Sequence, residues 1–307
     1  EKRFIRATEF ARASQSPQLM FQATGALAQT YSVAGKYDQA IGMLQGLIES
    51  DVGKSDELLR AATLSSLGMA YGRKGAAAQG LPYAREGYEI RARVAPRDPN
   101  THNTGWQLGI SYMENNQLDQ AVDIMTRTYA SSVEASGANH ADVVAGLVLL
   151  NYAKARRGDG PGVITPMREA IARQRQIGIP LQQVAQSRMY LAGALMYVGQ
   201  RREAVAEADA TLAELGEQSA PCGRGMVAVL LQIGSIFSAA GGAQESLPYL
   251  ERAFDCTKTD AAAAPFGARV AGAIVWSYRR LGDDANAAKW QGIATSLQPA
   301  PAKSSKD

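Results

Sequence analysis

Residues 67–80 read Leu-Gly-Met-Ala-Tyr-Gly-Arg-Lys-Gly-Ala-Ala-Ala-Gln-Gly, and the same spacing of residue types recurs along the chain. A Leu or Ile is followed at once by a small residue, four positions on by a bulky one, at eight by Gly or Asn, and at thirteen by a second small residue. Successive copies are 40 to 42 residues apart, and a fixed period of that length indicates stacked structural repeats. The Leu or Ile of each copy is Leu27, Leu67, Leu108, Leu150, Leu191, Ile233 or Ile274.

The Gly or Asn of each copy predicts the turn of a helical hairpin. These two residue types tolerate the left-handed backbone conformation that commonly ends a helix. The small residues on either side of the turn allow two helices to approach closely, and the bulky residue fills the space between neighbouring hairpins. The predicted turn residues are Gly35, Gly75, Asn116, Gly158, Gly199, Gly241 and Gly282.

This pattern resembles the tetratricopeptide repeat family, in its longer form of about 42 residues found in kinesin-light-chain-type proteins. The stretch Gly137-Ala-Asn-His-Ala-Asp-Val143 before the fourth hairpin adds to the resemblance. The resemblance covers residues 15–297 and implies an all-α, right-handed α-solenoid of about seven hairpins. The fourth copy departs most, with Lys154 at the bulky position and Gly-Asp-Gly-Pro-Gly at 158–162, so we expect a longer turn there.

The two ends of the chain are expected to differ from the repeats. Residues 1–14 are interpreted as the end of a preceding unit's second helix, and the chain begins with neither an initiator Met nor a signal peptide. Both observations favour a start inside a longer polypeptide. Residues 298–307 form a polar, Pro-containing segment that is predicted to be disordered.

Composition excludes several function classes. Hydrophobic residues make up 46% of the chain, which argues against a disordered protein. The net charge of +3 gives no argument for a nucleic-acid partner or a membrane surface, and no apolar run reaches the length of a spanning helix.

The residue patterns of catalysis are missing from the sequence. His102 and His140 are the two histidines, and each is expected at a helix start, either capping it or exposed. Neither belongs to a His, Cys or carboxylate cluster with the spacing of metal ligands, and the glycines at 158–162 lack the Lys-Ser/Thr of a phosphate loop. We therefore expect no enzyme activity, no metal and no cofactor.

Two cysteines leave the compartment open. Cys222 precedes the first helix of the sixth hairpin, and Cys256 lies near the end of its second helix. Those ends are neighbours in an antiparallel hairpin, so a disulfide is sterically feasible; two separate thiols are an equally weighted alternative. A disulfide would place the chain in an oxidising compartment such as the periplasm, and free thiols would favour the cytoplasm.

The resemblance also implies a binding surface. In this family the first helices line a concave groove, and the matching positions here are rich in Met, aromatic and Arg side chains, which adapt to apolar partners and dominate binding energies where they are exposed. The alternative is that these side chains pack against neighbouring helices. The predicted groove residues are Met69, Arg73, Trp106, Ile110, Met113, Tyr152, Arg156, Met189, Met196, Trp276, Arg279 and Arg280.

The sequence thus favours a non-catalytic protein–protein interaction module that binds a protein or peptide in this groove. By family analogy it forms the C-terminal part of a larger bacterial signalling or regulatory protein. A domain that senses a small molecule or short peptide is one alternative. An assembly subunit that associates with itself is another.

Overall fold

The computed structural model describes residues 5, 6, 9, 15–216, 222–261 and 263–297. These residues contain fifteen α-helices and no β-strand, which confirms the predicted all-α class. Residues 5, 6 and 9 are helical; the rest of the predicted preceding helix and the predicted tail at 298–307 lie outside the described residues.

Fourteen of the helices form seven antiparallel hairpins, each made of a first and a second helix. A short helix, α3 (Asp51–Ser55), stands between the first two hairpins. The first helices are α1 (Pro17–Val33), α4 (Glu57–Lys74), α6 (Pro99–Glu114), α8 (Ala141–Arg157), α10 (Leu181–Tyr197), α12 (Arg224–Ala239) and α14 (Gly267–Arg280). The second helices are α2 (Tyr37–Glu49), α5 (Ala77–Val94), α7 (Leu118–Ser136), α9 (Ile164–Gln176), α11 (Arg201–Gly216), α13 (Ala243–Thr259) and α15 (Asp284–Ser296).

All seven predicted turn residues adopt a positive φ, from 56° at Asn116 to 97° at Gly158. The residue after each turn donates its backbone N–H to the carbonyl of the bulky residue five positions earlier, as Lys36 does to Tyr31 at 2.9 Å. This bond satisfies a carbonyl that the helix end would otherwise leave without a partner. The turn prediction is therefore confirmed at every repeat.

The fourth turn is longer than the others, as predicted. Six residues separate α8 from α9, against two or three in the other hairpins, and they include a 3₁₀ turn at Pro161–Val163. Asp159 still donates to the carbonyl of Lys154 at 3.1 Å, so the helix end keeps the same cap.

The chain divides into two compact units, residues 1–146 and 147–307, with the boundary inside α8. Unit 1 contains the first three hairpins, and its core includes Leu44, Leu64 and Leu67, all almost fully buried. Unit 2 contains the last three hairpins together with the rest of the fourth, and Phe237 and Ile274 are fully buried there.

The predicted small residues bring paired helices close together. In unit 1, a Cβ added at Gly80 of α5 would lie 2.5 Å from the carbonyl oxygen of Gly68 in α4. In unit 2, a Cβ added at Gly234 of α12 would overlap the side chain of Leu250 in α13. The apolar faces of each hairpin therefore meet at a separation that larger residues would prevent.

The short helix α3 was not predicted. It begins after Ser50, whose hydroxyl accepts from the N–H of Gly53 at 3.1 Å. Gly53 is buried against the end of α2, where an added Cβ would overlap the carbonyl oxygen of Leu47. The close backbone approach requires Gly at this position.

A disulfide joins the two ends of the sixth hairpin. Cys222 lies two residues before α12, and Cys256 lies in the last turn of α13, with 4.9 Å between their Cα atoms. Of the two alternatives left open by the sequence, the structure contains the bonded pair.

Candidate functional site

The twelve predicted groove residues fall into two groups. Five are buried, with at most 8% of the residue exposed: Trp106, Met113, Tyr152, Met189 and Met196. The other seven are partly or fully exposed: Met69, Arg73, Ile110, Arg156, Trp276, Arg279 and Arg280. The burial of the first group is what the alternative interpretation expected, in which these side chains pack against neighbouring helices.

In unit 1, Trp106 is held by the next first helix. Its indole ring fills the space beside Gly146 of α8, where an added Cβ would overlap the ring. Three of the other predicted groove residues of unit 1 are more exposed than Trp106. Arg73 at the end of α4 donates to the hydroxyl of Ser32 at 3.2 Å, and Met69 and Ile110 are half-buried.

In unit 2, Tyr152 forms the centre of a tyrosine cluster. Its ring lies 5.0 Å from the ring of Tyr190 and 6.0 Å from that of Tyr197. Arg156 lies over the Tyr197 ring at 6.0 Å. Burial, helped by the neighbouring Tyr197, raises the pKa of Tyr152 well above its usual value, so its hydroxyl stays protonated. The Tyr152 ring packs against the other two tyrosine rings, as side chains of a packed core do.

Helix α14 presents the most exposed part of the predicted site. Arg269, Gly272, Trp276 and Arg280 follow one another at helical spacing on one face, and all four are exposed. Trp276 is 41% exposed, and Arg280 lies over its ring at 4.9 Å. We call these four residues together with Arg279 the α14 face. An exposed Trp beside Arg side chains is the combination most enriched at the energetic centres of protein interfaces.

Charge is segregated between the two sets of helices in unit 2. Its second helices, α9, α11, α13 and α15, carry nine acidic and eight basic residues. Its first helices, counting residues 147–157 of α8, carry no acidic residue. Their eight basic residues are Lys154, Arg156, Arg157, Arg188, Arg224, Arg269, Arg279 and Arg280.

Arg157 and Arg188 form ion pairs with carboxylates of the same unit. Arg157 pairs with Asp159 at 2.6 Å. Arg188, whose side chain is 10% exposed, pairs with Glu207 and, at 2.6 Å, with Glu214. Their charges are therefore compensated within the unit.

Four others have no such compensation. In the part of the chain that the structure describes, Arg224, Arg269, Arg279 and Arg280 form no ion pair with a carboxylate. Arg224 lies over the Phe266 ring at 5.4 Å, and Arg279 donates to the side-chain oxygen of Gln291 at 3.4 Å. Helix α12 packs beside α14, so these four guanidinium groups add positive charge to the first helices of the last two hairpins.

A small cavity of about 250 Å³ lies elsewhere in unit 2. It is lined by residues of α10 and of the flanking segments: Arg175, Ile179, Leu181, Val184 and Glu214. Two of these, Arg175 and Glu214, form an ion pair with each other at 2.7 Å. None of the predicted site residues contributes to it.

The histidines lie in two different environments. His102 was expected to be exposed or capping, and this is wrong: it is buried in α6, and its Nε2 lies 3.1 Å from the hydroxyl of Ser131. Burial lowers the pKa of His102, and nearby Asp98 offsets this in part. His140 is exposed directly before α8, where its Nδ1 accepts from the N–H of Asp142 at 3.4 Å.

The described residues contain no group of three or more His, Cys, Asp or Glu side chains placed to hold a metal ion. None of the helices described is both long and apolar enough for a membrane crossing.

Comparison with solved structures gives three informative neighbours. A Rap protein complexed with Competence and Sporulation Factor has a TM-score of 0.65 at 14% identity, over 94% of this chain and 77% of its own. Aspartyl phosphate phosphatase F from Bacillus subtilis has a TM-score of 0.56 at 13% identity, over 97% and 80%. The TPR-like repeats of a Podosopora anserina kinesin light chain have a TM-score of 0.52 at 20% identity, over 64% and 96%.

The fold is TPR-like. No protein-family model and no curated protein matches the sequence, so the structural likeness carries this assignment alone. At these identities the structural similarity shows the fold of the TPR-like repeats. The ligand depends on the side chains of this chain.

The sequence-based analysis placed Arg269 at a groove position but missed Arg224 on the first helices of unit 2. The net charge of +3 concealed it, because acidic residues elsewhere balance the total. Counting charges separately for the first and the second helices of each TPR-like repeat is the signal that would have found it.

Proposed function

We propose that this chain is a non-catalytic protein-interaction module that binds a protein or peptide on the first-helix side of its TPR-like repeats. The observation that carries the proposal is the α14 face, where Trp276 stays exposed between Arg269 and Arg280. Leaving a large aromatic side chain in water forgoes the free energy of its burial, which a partner would recover.

Trp276 differs in this respect from the other exposed apolar residues. Leu19, Val33 and Ile177 are small or isolated, and single exposed aliphatic residues are ordinary on a protein surface. Trp276 instead belongs to a row of side chains about 17 Å long, from residue 269 to residue 280, at 1.5 Å per residue of helix. A row of that length matches an extended peptide segment of about five residues at 3.3 Å each.

The solved neighbours support a binding function in the same sense. The Rap structure contains a bound factor, named in its description as Competence and Sporulation Factor. A larger bacterial signalling or regulatory protein remains the context that we propose for this module.

The disulfide supports an oxidising compartment. Cys222 and Cys256 are bonded to each other, and structural disulfides are rare where thiols are kept reduced. We therefore propose that the module works outside the cytoplasm.

The binding proposal is tested by selecting random 12-residue peptides for binding to the immobilised wild-type protein. Peptides are then measured against Trp276→Asp and against Ala288→Asp, a matched charge on the exposed part of second helix α15. We expect selected peptides to lose at least tenfold in affinity with Trp276→Asp and less than twofold with the control. Selection that enriches no peptide, or peptides that bind both variants equally, would show that this surface is not a binding site.

A further inference from the structure

The distribution of charge in unit 2 narrows the class of partner. We infer that the α14 face, together with Arg224, binds an acidic protein segment that carries an apolar side chain next to its carboxylates. This inference rests on the proposed binding function and adds the chemistry of the ligand.

The arginines of α14 lack a carboxylate partner within the described residues. Most charged residues on the second helices of unit 2 have a partner close by: Arg168 pairs with Glu203 at 2.7 Å, and Arg201 with Glu245 at 2.8 Å. The described part of the chain offers no carboxylate partner to Arg269, Arg279 or Arg280. Arg188 on α10 reaches carboxylates of a second helix, but the described residues place none within ion-pairing distance of these three arginines, so their guanidinium groups are open to a partner's carboxylate.

The arginines of α14 are spaced to bind two carboxylates of one peptide. Arg269 and Arg280 stand at the two ends of the row on α14, with Trp276 between them and Gly272 leaving the middle without a side chain. A guanidinium group can bind a carboxylate through two parallel hydrogen bonds. The open position at Gly272 and the ring of Trp276 would accept an apolar side chain between the two carboxylates.

The number of arginines without an ion pair distinguishes an acidic peptide from a nucleic acid as the ligand. Nucleic-acid binders rely on many phosphate contacts, commonly six to ten, spread along the backbone. On the first helices of unit 2, the arginines without an ion pair in the described residues are Arg224 and the three on α14, and Arg280 is already placed over the Trp276 ring at 4.9 Å. A short row with one apolar anchor fits a peptide of mixed acidic and apolar character better.

The experiment uses three fluorescein-labelled 12-residue peptides and fluorescence anisotropy with the full chain. The first peptide contains Asp and Glu around a single Phe. The second replaces the acidic residues by Asn and Gln, and the third replaces the Phe by Ala. A 12-nucleotide single-stranded DNA serves as the competing class of ligand.

Two triple variants of equal charge change are compared. Arg269→Gln, Arg279→Gln and Arg280→Gln together remove three positive charges from α14. Arg252→Gln, Lys258→Gln and Lys289→Gln remove three from the exposed surface of α13 and α15. Circular dichroism and thermal unfolding verify that both variants are folded.

We expect the acidic Phe peptide to bind at least tenfold more tightly than its neutral counterpart, with an affinity that falls as salt is added. The α14 triple variant should lose about tenfold, the control less than twofold, and Trp276→Ala should weaken the Phe peptide but not the Ala peptide.

Equal binding of acidic and neutral peptides would overturn the inference, as would equal losses in the two triple variants, tighter binding of the DNA, or no binding of any probe. The proposed function would still stand if display-selected neutral peptides lost affinity with Trp276→Asp. It would fall with the inference if the selection enriched no peptide, or if the selected peptides were insensitive to that substitution.

Discussion

The indole ring of Trp106 and the α-carbon of Gly146 occupy adjoining positions on neighbouring first helices, so closely that a Cβ at Gly146 would overlap the ring. Trp106 is 8% exposed as a result. A residue that the sequence placed in a binding groove is therefore part of the packing of unit 1. This contact explains why Gly is required at 146 and why the ring is not available to a partner.

Substitutions at this contact should affect stability. Gly146→Ala should lower the free energy of unfolding by about 1–3 kcal/mol through overpacking, and Trp106→Ala by about 3–5 kcal/mol through the cavity it leaves. Gly42→Ala is the matched control, since nothing lies within 4 Å of an added Cβ there and Ala favours helix by about 1 kcal/mol. Urea unfolding measures all three. Equal effects of the two Gly→Ala changes would contradict the packing role.

Arg188 should be far more important to unit 2 than Arg175, although both bind Glu214. The Arg188 side chain is 10% exposed and also binds Glu207, whereas that of Arg175 is 51% exposed. Arg188→Ala leaves a partly buried carboxylate without its partner and should cost about 2–4 kcal/mol, while Arg175→Ala should cost less than about 1 kcal/mol. Thermal unfolding of both variants checks this. Similar losses of stability in the two variants would show that the ion pairs of Arg188 do not stabilise the fold more than that of Arg175.

His102 should make unit 1 less stable in mild acid. Because burial lowers its pKa in the folded state, the unfolded chain takes up the proton first as the pH falls below about 6.5. Its effect on stability is absent above that pH and grows as the pH decreases toward the folded pKa. His102→Gln should therefore reduce the loss of stability between pH 7.5 and pH 5.5. The measurement is the free energy of unfolding at the two pH values.

The Cys222–Cys256 disulfide should stabilise the sixth hairpin. The bond closes a loop with a sequence separation of 34, which corresponds to at most about 4 kcal/mol in the chain-entropy description. Replacing both residues by Ser should lower the melting temperature and the hydrogen-exchange protection of α12 and α13 most strongly.

Thiol titration provides the independent test of the bond and of the compartment. We expect no reactive thiol in denatured, unreduced protein isolated from its source and two after reduction. Two thiols before reduction would contradict both the bond and the proposed oxidising compartment.

The repeat itself was available in the sequence because its signals are local. A Gly or Asn that must adopt positive φ, such as Gly199 or Asn116, identifies a turn without any knowledge of the neighbouring hairpins. The longer fourth turn was also predicted from local sequence, because the glycines at 158, 160 and 162 indicate an irregular connection. Hairpin number, length and turn position follow from the intrinsic preferences of residues close together in the chain.

Which side chains remain exposed depended on the tertiary structure. Trp106 and Trp276 are both predicted groove residues, two residues before and two residues after the Leu or Ile of their repeats, and helical periodicity does not decide which one is covered. Trp106 is buried because Gly146 lets its ring lie against the following helix. Trp276 stays 41% exposed, with the guanidinium group of Arg280 from its own helix over its ring. Burial is set by contacts between helices some forty residues apart, and no local pattern contains that information.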